Sequence, residues 1–352
     1  MKRILFAVLL IIIIALFGLY FYNKMLLPQE KNVSVHHEWG TLKEVIVGRG
    51  EDIIIPSWSD QIEKVEVPAQ TKALIKKYAG KRLSEIDPET SQKIVSQFDG
   101  LAKLLENRGI IVHRPRLFTP DEINYLSYIQ KGGGSLFPRD PVLVIGNNVI
   151  ETALQGVFRR KEKFAIRSIL LDAVKNSQAK YVSMPPASPR MPEDNDPDPF
   201  IEGGDVLLNG YEIYVGYSGR ATNQAGIEWL KQYLGPQYQV HTIQLKPDVL
   251  HLDCAMALLR PGLGIICRDR IIGDLPNSLK NFDWVEVTEE EARRLATNAL
   301  VLDKKTAIMD QQHQRIAAEV RKRGQEVLLI PFDAVSAWEG AFRCAHHPLR
   351  RD

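Results

Sequence analysis

A repeated unit of two short apolar strands, a helix and a further strand constrains the fold of this chain more than any other feature. The turns inside the strand pairs contain Gly146, Asn209 and Gly210, which tolerate positive φ and favour tight hairpins. Five hairpins are predicted, at Val45–Val47 with Ile53–Ile55, Val142–Ile145 with Val149–Ile150, Val206–Leu208 with Glu212–Val215, Ala255–Leu259 with Gly264–Cys267, and Leu300–Leu302 with Ala307–Met309.

A helical stretch and a returning strand follow each hairpin. The helices are predicted at Ser91–Arg108, Lys163–Asn176, Asn223–Leu234, Pro276–Phe282 and Gln312–Arg323. The returning strands are predicted at Ile110–His113, Tyr181–Ser183, Gln239–Ile243, Trp284–Val287 and Val327–Ile330. Repeated units of this kind predict one α/β domain, a closed array in which each unit covers the apolar face of its neighbour. An open α/β sheet with incidental hairpins is the alternative.

The amino terminus differs in composition from the rest of the chain. After Lys2 and Arg3, the nineteen residues Ile4–Tyr22 carry no charge. A helix of about 20 apolar residues can cross a bilayer core. The run ends in bulky residues instead of a small-x-small cleavage site, so we expect an uncleaved membrane anchor, with a cleaved secretory signal as the alternative.

These features divide the chain into an anchor or signal at 1–24, a linker at 25–34 and a catalytic domain at 35–352. The positive charges that precede the apolar run favour a cytoplasmic amino end. The catalytic domain would then lie on the periplasmic or extracytoplasmic side.

Charge and cysteine content narrow the function. A formal net charge of +2 over 352 residues, without a basic stripe, gives no sign of a nucleic-acid partner and favours a small molecule. Cys254, Cys267 and Cys344 show no CxxC spacing, so neither a disulfide framework nor a thiolate zinc site is implied. The sequence is compatible with a homodimer and does not specify the oligomeric state.

Cys344 is the candidate nucleophile. It lies among small residues near the carboxyl end of the chain, where a substrate could approach closely, and Arg343, His346 and His347 could favour its thiolate. A buried core cysteine is the alternative, and it is the reading we prefer for Cys254 and Cys267. His251 is the candidate acid/base, because His-x-Asp in a strand places His251 and Asp253 on one face.

Four carboxylates accompany these groups near apolar strands: Asp140, Glu202, Asp205 and Asp253. Buried carboxylates are costly without a cation, and a planar guanidinium can satisfy two of them at once. A metal site would use the same residues, but no HExxH motif or histidine pair at ligand spacing supports it. The alternative without a catalytic role is a solvated turn for Glu202-Gly203-Gly204-Asp205 and a structural or surface histidine for His251.

The chain resembles the amidinotransferase family of the guanidine-modifying (pentein) superfamily. The resemblance extends in order from about Val35 to the carboxyl end. It rests on Glu38-Trp39, Glu44–Arg49, Phe137–Asp140, Gly146–Glu151, Thr222-Asn223, Gly226–Trp229, His251–Asp253, Asp269-Arg270, Asn298–Asp303 and Phe342–Cys344. It implies a five-bladed pseudo-symmetric α/β propeller and requires no cofactor.

The resemblance also implies roles for individual residues. Cys344 would be the nucleophile, His251 the acid/base and Asp205 the carboxylate that orients it. The substrate-binding residues would be Asp140 and Asp253 for the guanidinium, Glu202 in the pocket wall, and Arg270 for a substrate carboxylate.

The expected reaction is transfer of an amidino group from arginine or a related guanidino compound to an amine, through an amidino-cysteine. The forms Glu202-Gly203-Gly204-Asp205 and Arg343-Cys344 are similar to those of deiminases and dimethylarginine hydrolases. Hydrolysis, with water as acceptor, is therefore the alternative reaction. A non-catalytic guanidine-binding protein is a third possibility.

Overall fold

This computed structural model describes residues 33–63, 66–175 and 177–352, and that part of the chain contains fifteen short strands. In that part they are β1 (Leu42–Val47), β2 (Ile111–His113), β3 (Val142–Ile145), β4 (Asn148–Glu151), β5 (Lys180–Ser183), β6 (Val206–Asn209), β7 (Glu212–Tyr217), β8 (Gln239–Gln244), β9 (Met256–Arg260), β10 (Leu263–Ile266), β11 (Asp283–Glu286), β12 (Leu300–Asp303), β13 (Thr306–Asp310), β14 (Glu326–Ile330) and β15 (His346–Arg351).

These strands form five three-stranded sheets with one common design. The orders are β15-β1-β2, β3-β4-β5, β6-β7-β8, β11-β10-β9 and β12-β13-β14. In each sheet the middle strand pairs antiparallel with one neighbour and parallel with the other. Gly146 and Gly210 adopt positive φ in the β3–β4 and β6–β7 turns, as tight hairpin turns require. The predicted α/β class and the five units are confirmed.

The first predicted hairpin is wrong. Strand β1 pairs with β15 from the other end of the chain, with Val45 opposite Pro348, and its parallel partner is β2. Ile54 makes only isolated bridges to Arg82 and Gly133. The terminal strand β15 thus covers a strand edge that would otherwise expose unpaired backbone groups.

The described α-helices lie between the strands, at Asp60–Glu63, Ala69–Tyr78, Leu83–Ile86, Pro88–Glu106, Pro120–Asn124, Glu162–Val174, Gln224–Leu234, Glu289–Arg293, Gln314–Lys322 and Asp333–Ser336. The longest begins where Asp87 accepts the Thr90 N–H and Pro88 occupies the first turn. Its buried face packs Ile94 and Phe98 into the core. The helix predicted at Pro276–Phe282 is only a short 3-10 turn, Asn277–Leu279.

Two large apolar clusters form the core. One contains the strands of the β3-β4-β5 and β6-β7-β8 sheets, and the other is built mainly from the β9-β10-β11 and β12-β13-β14 sheets and the helix Pro88–Glu106. A small third cluster joins Ile55, Ile62 and Ile75. The segment that carries this third cluster covers one side of the cavity described below.

The predicted membrane anchor lies outside the described residues. Within the described ranges, no helix combines the length and the apolar character needed to span a bilayer. Two residues of the predicted linker contact the folded domain, since Val33 is buried and the Ser34 N–H donates to the Leu349 carbonyl.

Candidate active site

The chemical groups of the site share one position in the fold. Each lies just before the strand that pairs antiparallel with the middle strand of its sheet. Asp140 precedes β3, Asp205 precedes β6, Asp253 precedes β9, Asn298 precedes β12 and Cys344 precedes β15. Equivalent ends of the five sheets therefore each contribute one polar side chain.

Asn298 shapes the turn that carries Cys344. Its Oδ1 accepts the N–H groups of Ala341, Arg343 and Cys344 at 3.2, 2.9 and 3.1 Å. Its Nδ2 donates to Cys344 Sγ at 3.2 Å. Asn298 was not predicted as a site residue, although its place before a hairpin matches that of Asp140 and is a signal that identifies it.

The Cys344 thiol is deeply buried in an electronegative environment. Burial raises its pKa well above the ordinary value, the charges of Asp253 and Asp140 raise it further, and the hydrogen bond from Asn298 opposes the shift. The Sγ atom lies 3.6 Å from Oδ2 of Asp253. A thiolate at Cys344 would be repelled by the charges of Asp253 and Asp140. An approaching cation would offset this repulsion and favour the thiolate.

Two of the three basic neighbours that were predicted to favour the thiolate carry no charge. Arg343 is charged, but it donates to Glu38 and to the same Asp253 oxygen that lies 3.6 Å from Cys344 Sγ. Burial lowers the pKa values of His346 and His347 well below the usual range, and the charge of Arg139 adds to this effect, so both rings stay neutral.

A buried ion network holds Asp253 in place. Arg343 donates at 3.0 Å to Asp253 Oδ2 and at 3.1 Å to Glu38 Oε1. Although burial alone would raise the pKa of Glu38, Arg343 and Arg139 bring it to about 2. Glu38 was noted in the sequence only as part of a resemblance, and its role depends on a contact between the two ends of the chain.

His251 pairs with Glu202 instead of the predicted Asp205. The Nε2 atom of His251 lies 3.0 Å from Glu202 Oε2, whereas Asp205 Oδ1 accepts the Leu252 N–H at 2.9 Å. Burial lowers the pKa of His251, but Asp140, Glu202 and Asp205 outweigh that effect and raise it to about 10. The imidazole is therefore a proton donor near neutral pH.

The two glycines between Glu202 and Asp205 are sterically required. A Cβ atom at Gly203 would lie 1.9 Å from the Arg139 carbonyl oxygen. A Cβ atom at Gly204 would lie 2.5 Å from Nδ1 of His251. This close packing fixes the imidazole against the backbone.

An arginine of the chain itself occupies part of the carboxylate cluster. Arg159 donates to Asp140 Oδ2 at 2.9 Å and to Glu202 Oε2 at 3.1 Å, and it also pairs with Glu162. Arg159 was not predicted as a site residue, because no local pattern distinguishes it from the adjacent Arg160 and Lys161. Ligand atoms of Asp140, Glu202 and His251 lie within 4.8 Å of one another, as a metal site would require, but two of these groups already bind a guanidinium.

Arg270 does not lie in the cavity wall. Its buried guanidinium donates to Glu66 at 2.7 Å and lies 3.3 Å from Glu289. It also donates to the Cys254 carbonyl. The predicted contact between Arg270 and a substrate carboxylate therefore has no support in this structure.

A cavity of about 1360 Å³ brings the remaining groups together. Its wall includes Cys344, His251, Asp140, Glu202 and Arg159. Asp253 and Asp205 lie behind that wall, fully buried. A thiol, a protonated imidazole and carboxylates around one cavity are suited to covalent chemistry on a cationic carbon centre.

Comparisons with known proteins give a matching family and several similar enzymes. A family model described as N,N dimethylarginine dimethylhydrolase, eukaryotic, matches residues 66–351. The chain is 27% identical over 369 residues to the mitochondrial glycine amidinotransferase of Xenopus laevis, covering 92% of this chain and 84% of the relative. It is 24% identical over 354 residues to the L-arginine:L-lysine amidinotransferase of Pseudomonas savastanoi pv. phaseolicola, covering 92% of this chain and 95% of the relative.

A solved structure of another amidinotransferase also matches this chain. The inosamine-phosphate amidinotransferase from Streptomyces griseus matches with a TM-score of 0.73 at 25% identity, covering 91% of this chain and 97% of that one. Fold, site and relatives together define an enzyme of the guanidine-modifying pentein superfamily. Within it, the chain belongs to the N,N dimethylarginine dimethylhydrolase family.

Proposed function

We propose that this protein transfers an amidino group from a guanidino compound to an amine through a covalent intermediate on Cys344. The observation that carries the proposal is the position of Cys344 Sγ, 3.6 Å from Asp253 and on the same cavity wall as the His251–Glu202 pair. The named amidinotransferases among the relatives support the same reaction class.

The first half-reaction forms the intermediate. The substrate guanidinium lies beside Asp140, with Asp253 behind the sulfur. The positive charge of the guanidinium lowers the pKa of the thiol, which loses its proton to solvent. The thiolate attacks the guanidinium carbon, so that the S–C bond forms and a tetrahedral adduct results. His251 gives its proton to the departing nitrogen as the C–N bond breaks, and an amidino-cysteine remains.

The second half-reaction reverses these steps with a new amine. His251, now neutral, accepts a proton from the entering amine, the new C–N bond forms, and the S–C bond breaks to regenerate the thiolate. Glu202 orients the imidazole through both half-reactions, and Asn298 holds the thiol-bearing turn.

Hydrolysis is the second candidate reaction, because the matching family is named for a hydrolase. In that case the terminal nitrogen of the guanidinium leaves first, so Cys344 carries the alkyl-substituted amidino group, and water then attacks this group to release a ureido product. The two reactions differ in which C–N bond breaks first and in which nucleophile attacks the amidino carbon.

Intact-mass analysis tests the proposal. The enzyme is mixed with a panel of alkylguanidines, including arginine, and stopped early in the reaction. We expect the mass of one amidino group to be added to the wild-type protein and no addition to Cys344→Ser. If no donor gives an adduct, the covalent mechanism is wrong. Adding glycine or lysine should then yield an amidinated amine, whereas a ureido product without any amine would identify a hydrolase.

A further inference from the structure

Acidic residues outnumber cationic groups in the cavity wall. Seven acidic residues line it, compared with three cationic groups, namely the guanidinium groups of Arg159 and Arg220 and the protonated imidazole of His251. Arg159 is already paired with three of the seven, namely Asp140, Glu162 and Glu202. Arg220 donates to the main-chain oxygen of Asp248. The wall therefore attracts cations and repels anions.

A substrate carboxylate would have no basic partner at Arg270. That guanidinium is buried, lies outside the cavity wall and is neutralised by Glu66 and Glu289. Glu66 also ties this region to the nucleophile turn, since its N–H donates to Glu339 Oε1 at 2.9 Å. The protein thus places its own carboxylates beside Arg270.

Glu339 is the carboxylate of the wall closest in sequence to the nucleophile turn. It has a positive φ of 68°, an unfavourable conformation for a residue with a side chain. Glu339 lines the cavity together with His251 and Cys344. Burial raises the pKa of Glu339, and the charge of Arg220 opposes that shift. A cationic ligand group beside Glu339 would relieve the cost of burying this carboxylate.

The largely exposed segment Met191–Pro197 also lines the cavity and carries three acidic residues. Arg190 pairs with Asp196 at 2.6 Å and lies 3.8 Å from Glu193, while the side chains of Glu193 and Asp194 are exposed. These exposed carboxylates attract cations toward the cavity.

We propose that the substrate of this site is a guanidino compound whose second functional group is an amine and not a carboxylate, as in an aminoalkylguanidine. This inference rests on the proposed function, and it names the substrate class for the same site. Glu339 is the residue assigned to the second cation.

Three donors of nearly equal length test the proposal on the full-length enzyme. Agmatine carries an amine, butylguanidine carries no second charge, and arginine adds a carboxylate. The rate of amidino-adduct formation should fall in that order, with agmatine faster than arginine by about tenfold or more, as expected for a close charge contact. Added salt should narrow the difference, because it screens charges in an open cavity.

Glu339→Gln should slow the reaction with agmatine more than the reaction with butylguanidine. Glu326→Gln, the same change at an exposed site outside the cavity, should leave the ratio as it is in the wild type. The inference is overturned if arginine reacts fastest or if all three rates are equal and insensitive to salt. Either result would leave the proposed function intact, whereas adduct formation with none of the three would reject that function itself.

Discussion

The protonation of Cys344 is the residue-scale property that most directly sets reactivity. Its pKa is raised well above the ordinary value by burial and by Asp253 and Asp140, so the free enzyme holds a thiol near neutral pH. The thiolate fraction grows about tenfold per pH unit below the pKa. We therefore expect alkylation of Cys344 by iodoacetamide to be slow at about pH 7 and to accelerate up to about pH 10.

A bound guanidinium ion should increase the alkylation of Cys344 at low pH, because its positive charge offsets the charges of Asp253 and Asp140. Peptide mapping of the alkylated protein would separate Cys344 from the buried Cys254 and Cys267. A rate that is already maximal near neutral pH would contradict the assigned electrostatics.

The carboxylates Glu202 and Asp205 should differ in their contribution to catalysis. Glu202→Gln removes the charge that hydrogen-bonds His251, so we expect kcat to fall by about 10²-fold or more. Because the pKa of His251 would also drop from about 10, the alkaline limit of activity should move to lower pH. The pH profile would distinguish this role from a loss of stability.

Asp205→Asn is the matched variant. Burial raises the pKa of Asp205 to about 7, and its Oδ1 accepts a backbone N–H, a bond that an amide oxygen can also accept. Its effect on kcat should therefore be the smaller of the two. A larger loss of kcat in Asp205→Asn than in Glu202→Gln would mean that Asp205 is the carboxylate that orients His251.

At the scale of single elements, Asn298 controls the nucleophile turn. Asn298→Ala leaves three N–H groups without their side-chain acceptor, and the loss of such buried hydrogen bonds costs about 1–3 kcal/mol in the free energy of unfolding. The thiol also loses its donor, so alkylation of Cys344 should slow further. Denaturant unfolding and alkylation rates would be measured beside Asn277→Ala, an exposed control. If Cys344 is alkylated at the same rate in Asn298→Ala as in the wild type, Asn298 does not influence the thiol.

Local elements were predictable from the sequence because their signals are local. The hairpins β3–β4 and β6–β7 carry turn residues with positive φ, and the helix Gln224–Leu234 follows its Asn223 cap. The residue types of the site, a cysteine, a histidine and several acids, were also recognisable from the resemblance.

Contacts between distant segments were not predictable in this way. The pairing of β1 with β15, the contact of Arg343 with Glu38 and the occupation of Asp140 by Arg159 all join residues whose local patterns are unremarkable on their own. Which of the two carboxylates, Glu202 or Asp205, pairs with His251 depends on the direction in which each side chain leaves the Gly-Gly turn. The spacing of the residues in the sequence does not specify that direction.

At the scale of the whole molecule, the two ends of the chain should contribute very differently to stability. Deleting residues 346–352 removes β15, whose Leu349 is fully buried, and exposes the edge of β1. We expect that variant to lose its cooperative thermal transition and to aggregate, since an open strand edge and an incomplete core remain. The nucleophile turn would also lose the strand that follows it.

Deleting residues 1–24 should have the opposite outcome. The uncharged run Ile4–Tyr22 is predicted to anchor the protein in a membrane, while the five sheets described here are built from Leu42 onward. The truncated protein should therefore keep a cooperative melt and full amidino-adduct formation, and it should remain in the supernatant after membranes are sedimented. The full-length protein should sediment with the membranes and require detergent for release. Recovery of the full-length protein in the supernatant would reject the anchor, and loss of the melt on truncation would mean that the domain depends on its first residues.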